Sequence, residues 1–377
     1  MSEPADRWRQ WADRRPNATV LHLDTAAAGR MSVAVRRAVA EHLDREAQSG
    51  AYVAEGEAAG VVTEGRADLA GLLGLPADGV AFMESATTGL QVLLRTWPLP
   101  AGARVGVVAS EWGPNLQEMR WHGLEPVELA TEPDGRIDLD ALARTLDTNP
   151  PALVHLTQAA SHRPLIQPVA AAVAVCRAAG VPLWVDAAQA LGQVDTATGA
   201  DAIYATGRKW LAGPRGAGLL GVAEPWWDRL RIERPVLVAP DRPRMQWLDS
   251  HEASLAGRIG LCAAVREYLA LDPRAVTERL AEVGRSTRAA LAGLRDWTVV
   301  DAGDADGAIT ALEPAPGVDP VVSRARLLER HAILTTVSQP VRAPLEMSGP
   351  LLRVSPQVDC DDDALARLRT ALDERAR

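Results

Sequence analysis

Between residues 80 and 222, short runs that are apolar almost throughout alternate with segments of helical pattern. Val80–Met83, Arg104–Ala109, Glu125–Ala130, Ala152–Thr157, Leu183–Asp186, Ala202–Ala205 and Gly218–Val222 read as strands. Thr88–Thr96, a stretch from about Asn115, Leu139–Leu146 and Pro168–Ala179 read as helices between them. Strands that lack a polar face must be covered on both sides, and interleaved helices supply the cover. The pattern predicts an α/β large domain built on a mostly parallel seven-stranded sheet. Such sheets take ligands beyond the carboxyl ends of their strands.

The flanks fit around this unit. Residues 1–17 read as a short polar N-terminal helix, and 18–240 as the large domain. Val20–Gly29 reads as a strand entering a small-residue loop, and Ser32 as the cap of a helix over 33–48. Gly50–Gly56 reads as a glycine-bounded loop before a long helix ending near Gly74. Three prolines in 235–250 mark the crossing to a smaller C-terminal α+β domain over 241–377. A chain of 377 residues is long enough for two cores.

Charge and cysteine narrow the classes. A net charge of −9 argues against a nucleic-acid or anionic-membrane partner. The longest apolar runs, such as Val169–Cys176, are too short to span a bilayer. The N-terminus lacks the apolar core of a signal peptide. The three cysteines, Cys176, Cys262 and Cys360, lie far apart, which suggests a reducing cytoplasm without disulfides. Seven dispersed histidines show no metal-ligand spacing, so no metal is expected.

Of forty basic residues only Lys209 is lysine. Arginine stays protonated and cannot serve as an amine nucleophile, whereas lysine can form a Schiff base and then act as a base. Lys209 follows the strand Ala202–Ala205 and precedes a glycine-rich loop. Twenty-three residues upstream, Asp186 ends another strand, so both side chains are expected on one sheet edge. Such an Asp can hold a ring nitrogen protonated, or simply cap the next helix. Glu84–Gly89 runs from a strand through hydroxyl residues into a helix, a phosphate site or an ordinary cap. Trp112 can stack on a planar ring or pack in the core. No G-x-G-x-x-G, Walker lysine motif or G-x-S-x-G elbow is present, which disfavours a dinucleotide or P-loop reading.

In order along the chain these pieces resemble the class V aminotransferase family, fold-type I enzymes that use pyridoxal 5'-phosphate and include the cysteine desulfurases. The resemblance covers residues 20–375. Leu23-Asp24-Thr-Ala-Ala matches L-D-x-A-A, and Ala86-Thr87-Thr88 matches the phosphate-binding G-T-T. Glu111-Trp112 stands where the family has Glu-His, whose ring stacks on the cofactor. Val185-Asp186-Ala-Ala-Gln189 matches V-D-x-A-Q, with Asp at the pyridine nitrogen and Gln at the phenolic oxygen. Thr206-Gly207-Arg208-Lys209 matches S-G-H-K, with Thr206 on the phosphate and Lys209 as the Schiff-base lysine. Glu252-Ala253-Ser254 matches E-A-G, a segment that reaches the partner subunit's phosphate. Arg353-Val354-Ser355 matches R-x-S, whose Arg clamps the substrate carboxylate.

There are departures. The loop Thr335–Pro344 lacks the nucleophilic Cys of desulfurases, which disfavours a persulfide mechanism. Ser161 replaces an Asn that bonds the phenolic oxygen. The resemblance then implies a carbon–sulfur lyase performing β-elimination on an amino-acid sulfoxide, a cysteine conjugate, with Tyr52 as a substrate contact or proton donor. It implies a homodimer with the active site at the subunit interface. Other activities of the family stay open: aminotransferase, amino-acid epimerase, or selenocysteine or cysteine lyase. So does a non-enzymatic scaffold, which the intact Lys209, Asp186 and Arg353 weigh against.

Overall fold

The computed structural model describes residues 4–236, 238–250, 252–301 and 305–374. Seven strands form the central sheet, in the spatial order Val80–Met83, Gly218–Val222, Ala202–Thr206, Leu183–Asp186, Leu153–Thr157, Arg104–Val107, Glu125–Glu128. Gly218–Val222 runs antiparallel to its two neighbours, and the other pairings are parallel. The expected strands are all present, several shorter by a residue or two at an end.

Apolar runs still alternate. Phe82, Val185 and Ile203 point into one hydrophobic cluster, while Ala81, Trp184 and Tyr204 point into another on the opposite face. Period-two geometry sends successive side chains to opposite faces, so a strand covered twice needs both sets apolar. Trp184 and Tyr204 are fully buried this way.

The smaller sheet has the order Thr336–Ser338, Leu351–Val354, Thr310–Pro314, Trp297–Val300, all antiparallel. Helices Pro273–Leu291, Pro320–His331 and Asp362–Asp373 pack with it around Leu291, Leu312, Leu352 and Leu368. Leu21–His22 pairs in parallel with Ile333–Leu334, and Ser355 N–H donates to Leu23 O at 2.8 Å. The early segment is thereby bound to the small domain.

The packing does not divide at residue 240. Helix Leu255–Ala270 lies across Val33–Ser49 and Ala51–Leu73, and its Leu261 and Val265 join the large core with Leu69 and Leu73. Close approach is possible because a Cβ on Gly65 would stand 2.2 Å from Cys262 Sγ. The loop expected at 50–56 is also different: only Gly50, at φ +86°, breaks the chain, and Ala51 already starts the 23-residue helix. Alanine-rich sequence on either side of one glycine favours helix over loop.

Candidate active site

A cavity of about 280 Å³ opens at the carboxyl ends of the central strands. Ser85, Ala86, Thr87, Trp112, Ser161, Asp186, Gln189, Thr206 and Lys209 all line it. The topology explains the meeting: the strands ending at Asp186 and Thr206 are parallel neighbours, with Asp186 registered against Tyr204. Gly29 N–H donates to Arg208 O at 2.7 Å, and a Cβ on Gly29 would stand 2.3 Å from Lys209 O. Only glycine allows the early loop to close over the lysine this tightly.

Lys209 is half-buried in the cavity wall. Desolvation lowers its pKa to about 7, against the opposing pull of Asp186, and Arg208, Arg353 and Arg342 lower it further. The amine is thus substantially neutral near neutral pH, as a nucleophile or base must be.

Asp186 accepts Asn115 Nδ2 at 2.8 Å on one oxygen and Ala188 N–H at 2.8 Å on the other. Burial raises its pKa, while Asn115 and Lys209 act in the opposite direction. Two donors and no acceptor around a carboxyl group favour its ionised form.

Behind Asp186 runs a buried polar chain that sequence reasoning did not assemble. Asn115 Nδ2 also donates to Glu111 Oε1 at 2.9 Å. The same oxygen accepts Thr157 Oγ1 at 2.7 Å and Trp112 N–H at 2.9 Å. His155 Nδ1 lies 2.9 Å from Glu111 Oε2, and its Nε2 lies 2.9 Å from Tyr204 Oη. Burial opposes charge on both Glu111 and His155, but each outweighs it for the other: Glu111 is held low and His155 is raised. The one available signal was that His155 and Tyr204 are polar residues in otherwise apolar strands.

At the other end of the cavity, Ser85 Oγ caps helix Ala86–Thr96 by accepting Thr88 N–H at 3.1 Å. The first-turn amides of Ala86 and Thr87 face the cavity rim beside Thr206, Arg208 and Arg215. Unpaired helix amides and guanidinium groups suit a phosphate. Gln189 Oε1 accepts Trp210 Nε1 at 3.0 Å, and its Nε2 donates to Ala26 O at 3.0 Å. One amide hydrogen of Gln189 stays uncommitted.

Three predicted residues are not among those lining the cavity. Arg353 is wholly buried beside it, donating to Ser161 O at 2.9 Å and Asp24 Oδ1 at 3.0 Å. Tyr52 is 90 % exposed on the first turn of its helix. Ser254 caps helix Leu255–Ala270 by accepting Gly257 N–H at 3.1 Å. No group of His, Cys, Asp and Glu suited to a metal occurs among the described residues.

Residues 21–238 match the family described as Aminotransferase class-V. The chain belongs to the class V aminotransferase family. A probable hercynylcysteine sulfoxide lyase from Mycobacterium tuberculosis (strain CDC 1551 / Oshkosh) is 45 % identical over 372 residues, 98 % of this chain and 92 % of that one. An isopenicillin N epimerase from Amycolatopsis lactamdurans is 29 % identical, covering 82 % of this chain and 83 % of its own. Among solved structures, a cysteine desulfurase from Thermococcus onnurineus NA1 superposes with TM-score 0.84 at 18 % identity, covering 99 % and 98 % of the two chains. The cystine C–S lyase C-DES, in complex with its product cysteine persulfide, gives 0.84 at 15 % identity, covering 95 % and 98 %. The fold is therefore fold-type I, and this class V aminotransferase is a pyridoxal-phosphate-dependent enzyme. Its residues fit that cofactor. The cavity brings together a lysine amine, a buried carboxylate, an indole and a helix N-terminus with Thr206 and Arg208, the groups such a cofactor would need.

Proposed function

We propose that the protein cleaves the carbon–sulfur bond of hercynylcysteine sulfoxide by β-elimination. The products are pyruvate, ammonia and a sulfenic acid that a thiol reduces to ergothioneine. The observation that carries the chemistry is a half-buried Lys209, its pKa lowered to about 7, sharing the cavity with Asp186. The 45 % identity, over nearly the whole chain, to a probable hercynylcysteine sulfoxide lyase supports the substrate. Bound pyridoxal phosphate supplies an electron sink for the bond electrons at Cα.

The chain's own residues do the rest. Neutral Lys209 Nζ takes the proton from Cα. Asp186, held ionised by Asn115 and Ala188, keeps a proton on the facing ring nitrogen. Arg353 receives the substrate α-carboxylate, exchanging Asp24 or the Ser161 carbonyl for it. No cysteine lines the cavity, and burial pushes the thiols of Cys176, Cys262 and Cys360 to about 12. They are poor nucleophiles there, and elimination from a sulfoxide needs none.

A homodimer is part of the same reading. Val33, Leu43, Tyr52 and Val53 expose apolar surface on two adjoining helices, and a second copy is proposed to cover them and bring Ser254 to the phosphate. The reading also places the enzyme in the cytoplasm, supported by three free thiols; no helix among the described residues is long and apolar enough to cross a membrane. The test is to incubate the holoenzyme with hercynylcysteine sulfoxide and follow pyruvate and the thiol product by mass. Pyruvate release at catalytic turnover is expected. Deuterium exchange at Cα without pyruvate would instead favour an epimerase, the activity named for the 29 % identical relative.

A further inference from the structure

The cavity holds more positive charge than its expected contents explain. Lys209, Arg208, Arg215 and Arg342 line it, and Asp186 is the one acid among the lining residues. Arg208 stands beside Thr206 and the Ser85–Thr87 turn, the phosphate end. Arg353, behind the wall, is already paired with Asp24 at 3.0 Å. Arg342 belongs to neither group.

Its position is built into the fold. Arg342 ends the short turn Pro340–Arg342, which rests on the start of helix Gly113–Trp121. A Cβ on Gly113 would stand 2.0 Å from Val341 O, so only glycine admits the turn at this depth. The contact brings the Arg342 guanidinium carbon to 5.5 Å from the Trp112 ring centroid. Among the described residues, no carboxylate or carbonyl accepts a hydrogen bond from that guanidinium. Burial lowers its pKa to about 10, with Arg353 and Arg208 adding to the fall and the Asp24 carboxylate opposing it, so it remains cationic at neutral pH.

A guanidinium that lines the cavity with no protein acceptor keeps its donors free for a ligand. On the proposed lyase reading, the phosphate and the α-carboxylate have other receivers. Two acceptors of the substrate remain, the sulfinyl oxygen and the carboxylate of its betaine half, and the sulfinyl oxygen is the one bonded to the reacting sulfur, in the cavity that Lys209 and Arg342 both line. We propose that Arg342 is a catalytic residue that donates to the sulfinyl oxygen and stabilises the departing sulfenate. Lys209 removes the Cα proton, and that electron pair forms the Cα–Cβ double bond. The Cβ–S bond breaks, and its pair goes to sulfur as R–S–O⁻, which takes a proton from solvent. No oxidant or reductant enters. Charge on the oxygen grows as the bond breaks, so a donor there binds the transition state more tightly than the ground state.

The test compares two compounds that differ by this oxygen. Holoenzyme and Arg342→Gln are assayed for kcat/KM on hercynylcysteine sulfoxide. The Kd of hercynylcysteine, the thioether, is read from the visible spectrum of the bound cofactor. Arg342→Gln is expected to lower kcat/KM about 10²-fold, mostly in kcat, with thioether Kd within about threefold of the parent. Equal losses on both compounds, or none on the sulfoxide, overturn the assignment while leaving the lyase reading intact. A parent enzyme that binds the thioether but releases no pyruvate from the sulfoxide overturns both. Should Arg342→Gln fail to hold cofactor, Arg342→Lys supplies the same comparison, with a selective loss of about tenfold expected from a donor lacking the planar fork.

Discussion

Replacing Asn115 with leucine removes a single amide that serves two buried carboxylates. Its Nδ2 donates to Asp186 at 2.8 Å and to Glu111 at 2.9 Å. A hydrogen bond to a charged group is worth about 1.5–3 kcal/mol. Glu111 keeps Thr157, Trp112 and His155, but Asp186 keeps only the Ala188 amide. Losing the Asp186 bond removes a donor to the ionised form and so raises that carboxyl's pKa further. Burial already raises it, so the change has the same sign and moves Asp186 toward its neutral acid near pH 7. A neutral acid no longer holds the ring nitrogen protonated. We predict that Asn115→Leu lowers kcat about 10–10²-fold with a much smaller change in KM. Pyruvate release gives the rates, and nitrogen-15 NMR of ring-labelled cofactor reports protonation directly. A kcat within twofold of the parent, with an unmoved nitrogen signal, would refute the idea that this amide sets the charge on Asp186.

Other predictions concern the lysine and the core. Lys209→Ala should lose covalent cofactor, so borohydride reduction followed by peptide mapping should find no adduct, whereas the parent carries it at position 209. Because the amine is lowered to about 7, its neutral fraction rises from about 10 % at pH 6 to about 90 % at pH 8. Cofactor loading onto stripped enzyme should accelerate about ninefold over that range and then level; a rise centred near pH 10 would contradict a desolvated lysine. Arg66 pairs with Asp249 at 2.7 Å, both side chains buried, while Asp249 also accepts Phe82 N–H at 2.7 Å. Arg66→Leu strands that carboxylate and should cost about 3–5 kcal/mol. The loss should fall toward the lower end because Arg242 lies 3.5 Å from the same oxygen. A urea-melt difference below about 1 kcal/mol would exclude the pair as a structural anchor.

The central sheet was legible because its inner strands are bounded by turn residues and apolar on both faces, a pattern that admits few alternatives, while the edge strand Glu125–Glu128 carries two exposed glutamates. Lys209 stood out by composition, and Asp186 by its place at a strand end. The Glu111–His155–Tyr204 chain was not legible, since it joins three strand-end and strand-interior positions up to 93 residues apart through side chains alone. Arg342 was hidden for a similar reason: its role depends on the missing Cβ of Gly113, and nothing in local pattern links residue 113 to residue 341. The helix at Ala51 was misread because two glycines, at 50 and 56, suggested a loop where only the first is a breaker.

The pairing of Leu21–His22 with Ile333–Leu334 bears on how the enzyme is made. Asp24 and Arg353, which meet beside the cavity, are separated by 329 residues of chain. During synthesis on a ribosome the first of them emerges long before its partner exists. The large sheet can assemble as its strands appear, yet the wall behind Ser161 stays open until Arg353 itself has left the exit tunnel. A nascent chain stalled before Arg353 therefore has its lysine in place but no finished pocket around it.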